Sequence, residues 1–583
     1  AAATEVSDTQ RYAVVVEGID GLSGTIGPRF DALSVLRQSE GKPANVAQVD
    51  RRARDDADLL DTLLESEGYY DAQVDTAVMP VDPGHLRVSL TVTPGPRYTF
   101  SNVQVTGLAP TDGKADTMRA AFGVTPGTPV DAETVIAGEA ALRAKLTGEG
   151  FPFAKIPEPE IVVDHETRSA TLVLAADPGA EKKFGQIRVT GDRAPFGAGH
   201  VQTIARFHPG ETFDQRQVDD LRRALIATGL ISTVSLTPRI AAGDAVDIDA
   251  AIEPAPVHTI AGEVGYGTGE GYRVEASWQH RNLIRPEGAV TFRGVAGTKE
   301  QLLGAILRMG DFEKRDQVLN ARIVASHDVL AAYDANTFEI GANIERQTNI
   351  IWQKKWVYSF GGELIASDER DFIAVGGVRP RRTFLIGALP VTLGYDGSND
   401  LLDPTRGFRL SGRLSPELSL HAGAFGYARV QVDASAYQPV GNTVIAGRVR
   451  IATIAGASRF TIAPSRLYYA GGGGSVRGFA YQELGPKNAL GQPIGGRSLA
   501  EFSLEARVRL SAFGGNFGVV PFVDAGNAYT SSAPDVSKVR FGAGLGLRYY
   551  SSFGPIRVDV GTPISRRPGE PRIAVYVSLG QAF

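Results

Sequence analysis

From Glu501 to Leu510, apolar and polar residues alternate without a break. Phe502, Leu504, Ala506, Val508 and Leu510 fall on one face of an extended chain, and Glu501, Ser503, Glu505, Arg507 and Arg509 on the other. Successive strand side chains leave opposite faces, so period two marks a β-strand. The pattern returns in Val430–Ala436, in Ile445–Ile451 with Arg448 and Arg450 on its polar face, and in Ile556–Val560. From Val257 onward helical periodicity gives way to segments of about ten residues between turn signals. Packed sandwiches would set the charged faces in water and the apolar ones in cores shared by two sheets. One closed barrel fits better. At about 20 residues per strand and connection, the second half of the chain holds roughly sixteen strands, within the range of lipid-exposed barrels.

An even strand count returns the C-terminus to the side of the N-terminal half. The connection from Ser458 to Arg497 follows the eleventh strand counted, which sends it to the opposite side. No run approaches the 18 or so apolar residues a membrane helix needs, although 43% of residues are hydrophobic and the mean hydropathy is −0.08. The 68 glycines concentrate after residue 258, where they suit strand bends and close packing. Trp352, Trp356 and Tyr358, and likewise Tyr468, Tyr469, Tyr549 and Tyr550, lie near segment ends, as an interfacial aromatic girdle would.

The first half repeats itself. Leu59–Val74, Ala141–Ile156 and Asp220–Ser235 each end a helical pattern in glycine and run into a strand. Their glycines, Gly68, Gly150 and Gly229, recur roughly 80 residues apart and can supply the left-handed conformation that stops a helix. Strand-like segments ending at Gly18, Gly107 and Gly191 precede the helices, and Leu86–Val92, Ala170–Ala176 and Ala245–Ile252 come after them. Each copy therefore predicts strand, helix, helix, strand, strand. The expected domains are 11–95, 97–179 and 182–256, succeeded by a barrel over 257–583. Pro94-Gly95-Pro96, Pro178-Gly179 and Pro254-Ala255-Pro256 make the joints short and stiff. A three-stranded sheet has exposed edges that accept an extended segment by strand addition, and a rigid spacer is the competing role.

Composition removes several function classes. The chain has no cysteine, which excludes disulfides, thiolate metal sites and Cys nucleophiles. A net charge of −5 and a pI near 6.0 argue against nucleic acid as a partner. No zinc-protease, nucleophile-elbow or Walker pattern occurs; His165-Glu166 lacks a second histidine in register, and Gly265-Tyr266-Gly267-Thr268-Gly269 lacks the βαβ context of a nucleotide loop. No enzyme, catalytic residue, metal or cofactor is expected. Ala1-Ala2-Ala3 fits numbering from just after a cleaved signal peptide.

Within the long connection, Val476-Arg477-Gly478-Phe479 resembles the VRGF signature of the BamA/TamA superfamily. Asp396 with Leu402-Asp403-Pro404-Thr405-Arg406-Gly407 is similar to its hairpin motif, Phe522-Val523-Asp524-Ala525-Gly526 to its F-x-D-x-G strand, and Gly554-Pro555-Ile556-Arg557-Val558-Asp559 to its G-P-I/L-R-x-D strand. The repeated units resemble POTRA domains, and the aromatic Phe583 resembles a barrel sorting signal. Three such domains match the TamA branch, where BamA usually carries five and two-partner secretion transporters two. The resemblance implies a protein of the Gram-negative outer membrane with its N-terminal domains in the periplasm. Its partners would be the lipid bilayer, unfolded outer-membrane protein and autotransporter clients, and a TamB-like protein anchored in the inner membrane. A two-partner-secretion-type transporter and a passive porin are the alternatives.

The resemblance further implies that the connection folds back into the lumen, with Arg477 on acidic groups of the wall. Parity is an independent check. Val519, Pro521, Val523 and Ala525 suit lipid and leave Phe522, Asp524 and Gly526 inside; Ile556, Val558 and Val560 likewise turn Arg557 and Asp559 inward. Asp524 is the first expected partner and Asp559 the second, since a planar guanidinium takes carboxylate oxygens two at a time. A second candidate feature is the seam between His258–Gly267 and Arg572–Phe583, where Gly262, Gly265, Gly267 and Gly580 weaken pairing or merely bend the strands.

Overall fold

The computed structural model describes residues 10–583 except 23, 112, 192, 268–270, 347, 349–352, 372–379, 422, 552 and 553. Trp352 of the expected girdle and Thr268 and Gly269 of the glycine run lie outside the described residues. The chain divides into two compact units: Ala1–Arg188, Arg206–Arg222 and Leu236–Ala250 form one, and Val189–Ala205, Arg223–Ser235 and Ala251–Phe583 the other.

The first repeat contains β1 (Arg11–Glu17), α1 (Ile26–Leu33), α2 (Val35–Gln38), α3 (Val46–Ser66), β2 (Gln73–Asp82) and β3 (His85–Thr93). The second runs β4 (Thr99–Thr106), α4 (Ala115–Phe122), α5 (Ala132–Thr147), β5 (Glu160–Asp164) and β6 (Ser169–Ala175). The third runs β7 (Lys183–Thr190), α6 (Ala198–Ile204), α7 (Gln215–Ala227), β8 (Ile231–Ile240) and β9 (Ala245–Pro254). Each sheet has its last strand in the centre, in the orders β1-β3-β2, β4-β6-β5 and β7-β9-β8. The helices form because their stripes and caps agree. Asn45 and Gln48 make a capping box at the start of α3, and Val49, Ala53, Leu60, Leu63 and Leu64 bury one face. In the second repeat Phe100, Phe122, Leu142 and Phe151 are nearly sealed from solvent, each such side chain contributing about 1.5–3 kcal/mol.

The helix-ending glycines do more than stop helices. Gly68, Gly150 and Gly229 all have positive φ, and the carbonyl of each accepts a hydrogen bond from a residue further along the chain. Gly68 accepts from the Tyr98 amide at 2.8 Å and Gly150 from the Lys182 amide at 2.8 Å. Gly229 accepts from Arg281 Nη1 at 3.2 Å. One helix terminus per repeat thus doubles as a joint.

The second half forms a single antiparallel sheet in sequence order. Its strands are β10 (His258–Gly267), β11 (Gly271–Ile284), β12 (Gly288–Gly297), β13 (Glu300–Met309), β14 (Gln317–Val329), β15 (Tyr333–Arg346) and β16 (Trp356–Asp371). Then come β17 (Arg382–Ala388), β18 (Val391–Asp396), β19 (Gly407–Leu420), β20 (Ala424–Val440) and β21 (Thr443–Ala455). Past the long connection lie β22 (Ser498–Leu510), β23 (Phe517–Tyr529), β24 (Arg540–Ser551), β25 (Gly554–Pro563) and β26 (Ala574–Leu579). Both β17 and β18 pair with β16 on one side and β19 on the other. They are halves of one passage interrupted at Leu389-Pro390, where proline has no N–H for the ladder. Among the described residues, seventeen strands therefore make sixteen passages, and the connection 456–497 comes after the eleventh.

Burial is inverted relative to a water-soluble sheet. On β22, Leu504 is 57% exposed while Glu501 and Glu505 are each 1% exposed. Such polarity suits a wall with hydrocarbon outside, and no described helix is long and apolar enough to cross a membrane. Trp356, Tyr358 and Tyr549 are exposed on the wall as expected of a girdle, but three other aromatics are not. Tyr468 is buried and Tyr469 half-buried within the long connection. Tyr550 shares the inner face of β24 with Arg548, and its ring lies 4.0 Å from the Arg509 guanidinium. Proximity to a segment end did not separate inner from outer aromatics; strand parity does.

Candidate functional site

The connection 456–497 packs on the inner wall through its own apolar residues. Ile462, Leu467, Tyr468, Ala470, Val476, Phe479 and Leu484 join Tyr427, Ala452, Ile454, Leu499 and Ala528 in one buried cluster. Polar wall residues hold its backbone. Arg448 donates to the carbonyls of Gly474 and Ser475 at 3.0 and 2.9 Å. Glu369 accepts from the Ser465 amide at 2.8 Å, and Arg466 donates to Glu417 from Nε at 3.0 Å.

At the tip, Val476, Arg477 and Phe479 are all at most 2% exposed. Every guanidinium N–H of Arg477 has an acceptor. Nε donates to Asp524 Oδ2 at 2.7 Å, and Nη2 to Asp524 Oδ1 at 2.9 Å and Ser503 Oγ at 3.3 Å. Nη1 is shared between Glu505 Oε1 at 2.7 Å and Asp559 Oδ2 at 3.1 Å. The Arg477 backbone amide adds a bond to Asp524 Oδ2 at 2.9 Å. Beneath it lies Phe522, with the ring centroid 3.6 Å from the guanidinium carbon. Removing such a charge from water costs several kcal/mol, offset only where partners are complete, as they are around Arg477. Three carboxylates around one cation are balanced by further arginines: Arg507 on Glu505 at 3.0 Å, and Arg548 and Arg557 on Asp559 at 2.6 and 3.5 Å.

The tip sits flush because the wall lacks side chains beneath it. A Cβ on Gly542 would lie 2.0 Å from the Arg477 carbonyl oxygen, and one on Gly526 2.8 Å from Val476 Cγ2. Gly561 would bring a Cβ within 3.0 Å of the Gly478 amide nitrogen. These contacts make a glycine cradle across β23, β24 and β25.

The structure thus brings Arg477 together with both expected carboxylates and with Phe522, and sets Gly526 beneath the neighbouring Val476. Glu505 was legible as a lumenal residue of the cleanest alternating segment, yet it was not expected as a partner. Gly542, Gly561, Arg548 and Tyr576 were also missed, because only the seating of the loop gives them a role.

At the seam, β10 keeps all ten residues paired with β11, Gly262, Gly265 and Gly267 included. The final strand pairs with β25 over six residues. The sheet order ends in β10 and β26, and among the described residues no backbone pairing joins them. Gly580 has a φ of +84° and donates to the Pro555 carbonyl at 2.7 Å. Beyond it, Gln581 bridges Arg548 and Asp403 at 3.0 and 2.8 Å, and the Phe583 carbonyl accepts from Arg507 at 3.1 Å. The Phe583 ring lies 6.5 Å from that of Tyr437 and below Arg448 and Arg507. The last residues therefore turn inward.

Comparison with known proteins bears on this arrangement. Residues 266–583 match the model of the Omp85 superfamily domain. Over 593 aligned positions the chain is 21% identical to the outer membrane protein assembly factor BamA of Neisseria meningitidis serogroup B, spanning 91% of this chain and 72% of that protein. It is 30% identical over 154 residues to BamA of Nitratidesulfovibrio vulgaris, 25% of this chain and only 19% of that protein. The crystal structure of Haemophilus ducreyi BamA lacking POTRA domains 1–3 shares the fold, with a TM-score of 0.68 at 21% identity, covering 82% of this chain and 99% of that one.

Proposed function

This chain belongs to the Omp85 superfamily, and from that premise we propose that it is an assembly or translocation factor for unfolded outer-membrane clients, β-barrels and autotransporters among them. It is an outer-membrane β-barrel protein whose N-terminal domains lie in the periplasm. The observation that carries the proposal is the sheet that begins at β10 and ends at β26 with no pairing between them among the described residues. Unpaired backbone donors and acceptors at hydrocarbon depth are costly unless filled, and a client strand can fill them. The loop tip bound by Arg477 keeps the lumen occupied meanwhile, which suits a gated device better than an open pore. The edge strands β2, β5 and β8 of the repeats offer the client an earlier template by strand addition.

Three repeats, more than the two of a two-partner secretion transporter, fit a TamA-type role with a TamB-like, inner-membrane-anchored partner reached through the first repeat or the barrel. Crosslinking from the first repeat in the native envelope tests the partner: capture of BamD-like lipoproteins would overturn the assignment. A disulfide engineered between β10 and β26 tests the seam. Client assembly should stop when the bridge closes and resume on reduction; undiminished assembly with a closed bridge would sink the proposal.

A further inference from the structure

The loop tip is held by the last strand as well as by the wall. Tyr576 of β26 accepts a hydrogen bond from the Gly478 amide at 3.1 Å and donates one to the Phe479 carbonyl at 2.7 Å. Its ring also lies against the loop at Gly473, where an added Cβ would come within 3.0 Å of Tyr576 Cδ1. In the register of β25 with β26, Tyr576 stands directly opposite Asp559, the carboxylate that Arg477 reaches at 3.1 Å. Two adjacent positions on neighbouring strands therefore grip three consecutive residues of one loop.

Both sides of this contact depend on it. The strand has six paired residues on β25 and, among the described residues, no backbone pairing with β10, so the loop is one of its anchors, beside the inward-turned Gln581 and Phe583. The Tyr576 hydroxyl satisfies both the Gly478 amide and the Phe479 carbonyl, and buried backbone groups without partners are strongly disfavoured. We infer that Tyr576 is a positioning residue that couples the lumenal loop to the final strand: while the loop is seated the strand stays against β25, and when the strand leaves the loop is freed. The inference rests on the proposed opening of the seam for its purpose, but the coupling itself exists or fails without any client.

The test uses amide hydrogen exchange of the full chain in lipid bilayers, with heat-modifiable mobility confirming a folded barrel. Tyr576→Phe keeps the ring and removes the hydroxyl. Exchange in 472–480 should rise about tenfold, the scale of one or two lost hydrogen bonds. In the opposite direction, Arg477→Lys, which loosens the loop tip and strips donors from Asp524, Glu505 and Asp559 but leaves the Tyr576 hydroxyl in place, should speed exchange in β26 and leave β13 across the wall unchanged. Wild-type exchange at 472–480 in the Tyr576→Phe protein would overturn the inference. So would an Arg477→Lys protein whose β26 is unaffected, or one in which β26 and β13 loosen together. If Tyr576→Phe does not assemble, the Arg477→Lys arm decides alone. Failure of the stapled-seam experiment with this coupling intact would count against seam opening, not against the role of Tyr576.

Discussion

Asp524 receives three N–H groups from Arg477, two from the guanidinium edge and one from the backbone. The backbone bond survives any substitution of the side chain, whereas the fork requires arginine. Arg477→Ala should therefore leave Asp524, Glu505 and Asp559 as a buried triad of carboxylates lacking their common cation. Breaking one side of a dry pair costs ~3–5 kcal/mol. Arg477→Lys should recover little of that, because an ammonium offers three donors where five are used. Midpoints of urea unfolding from lipid vesicles, with electrophoretic heat modifiability, will rank the variants; a lysine protein as stable as wild type would contradict the geometry.

The glycine cradle makes a second, independent prediction. Ala at Gly542 would place a methyl 2.0 Å from the Arg477 carbonyl oxygen, and that neighbour is backbone. The loop must then lift, at about 1–3 kcal/mol for overpacking. Gly412 on β19 has nothing within 4 Å of its added Cβ, so Gly412→Ala should be close to neutral. Equal effects of the two substitutions on the unfolding midpoint would show that the wall does not need to be bare beneath the tip.

Strand parity carries the sequence a long way toward this site. The alternation at Glu501–Leu510 predicts the wall, its inner face and the position of Glu505 on that face, because a period of two is local and unaffected by distant partners. Parity likewise turns Asp524 and Asp559 inward without reference to any contact. What parity does not encode is depth. Tyr468, Tyr469 and Tyr550 fall near segment ends as girdle residues would, yet two belong to the infolded connection and one to the inner face. The cradle glycines Gly542 and Gly561 look like any glycines in a glycine-rich barrel until the loop lies on them. Tyr576 is legible only once the register places it opposite Asp559.

Leu504 tests which side of the wall meets hydrocarbon. It is 57% exposed and stands across from Gly447 and Val523. In a water-soluble sheet, Leu504→Lys would be harmless or helpful. Facing lipid near the middle of the bilayer it should cost ~2–4 kcal/mol, measured as a lower urea midpoint from vesicles. The cost should shrink in short-chain detergent. An unchanged midpoint in vesicles would place Leu504 outside the hydrocarbon.

At the periplasmic rim, acid should tighten the turns on which α6 rests. His200 Nε2 of α6 lies 3.0 Å from Glu287 Oε2 in the turn before β12. Asp311, in the turn before β14, accepts from the Asp316 amide at 2.8 Å. Burial first, and then the charge of Glu287, push the Asp311 carboxyl up to about 6. Asp316 adds to the repulsion and His200 opposes it. Because the folded state favours the protonated acid, its stabilising contribution is complete below the unfolded value near 4 and is lost as the pH rises through 6. Intrinsic-rate-corrected hydrogen exchange at 284–288 and 310–316 should therefore be slower at pH 5 than at pH 7.5. Asp311→Asn, which keeps the shape and cannot ionise, should hold the slow rate at pH 7.5 and flatten most of the dependence. His200 remains in both proteins, so their difference reports Asp311 alone. Identical pH profiles for the two would assign the rim's acid response elsewhere.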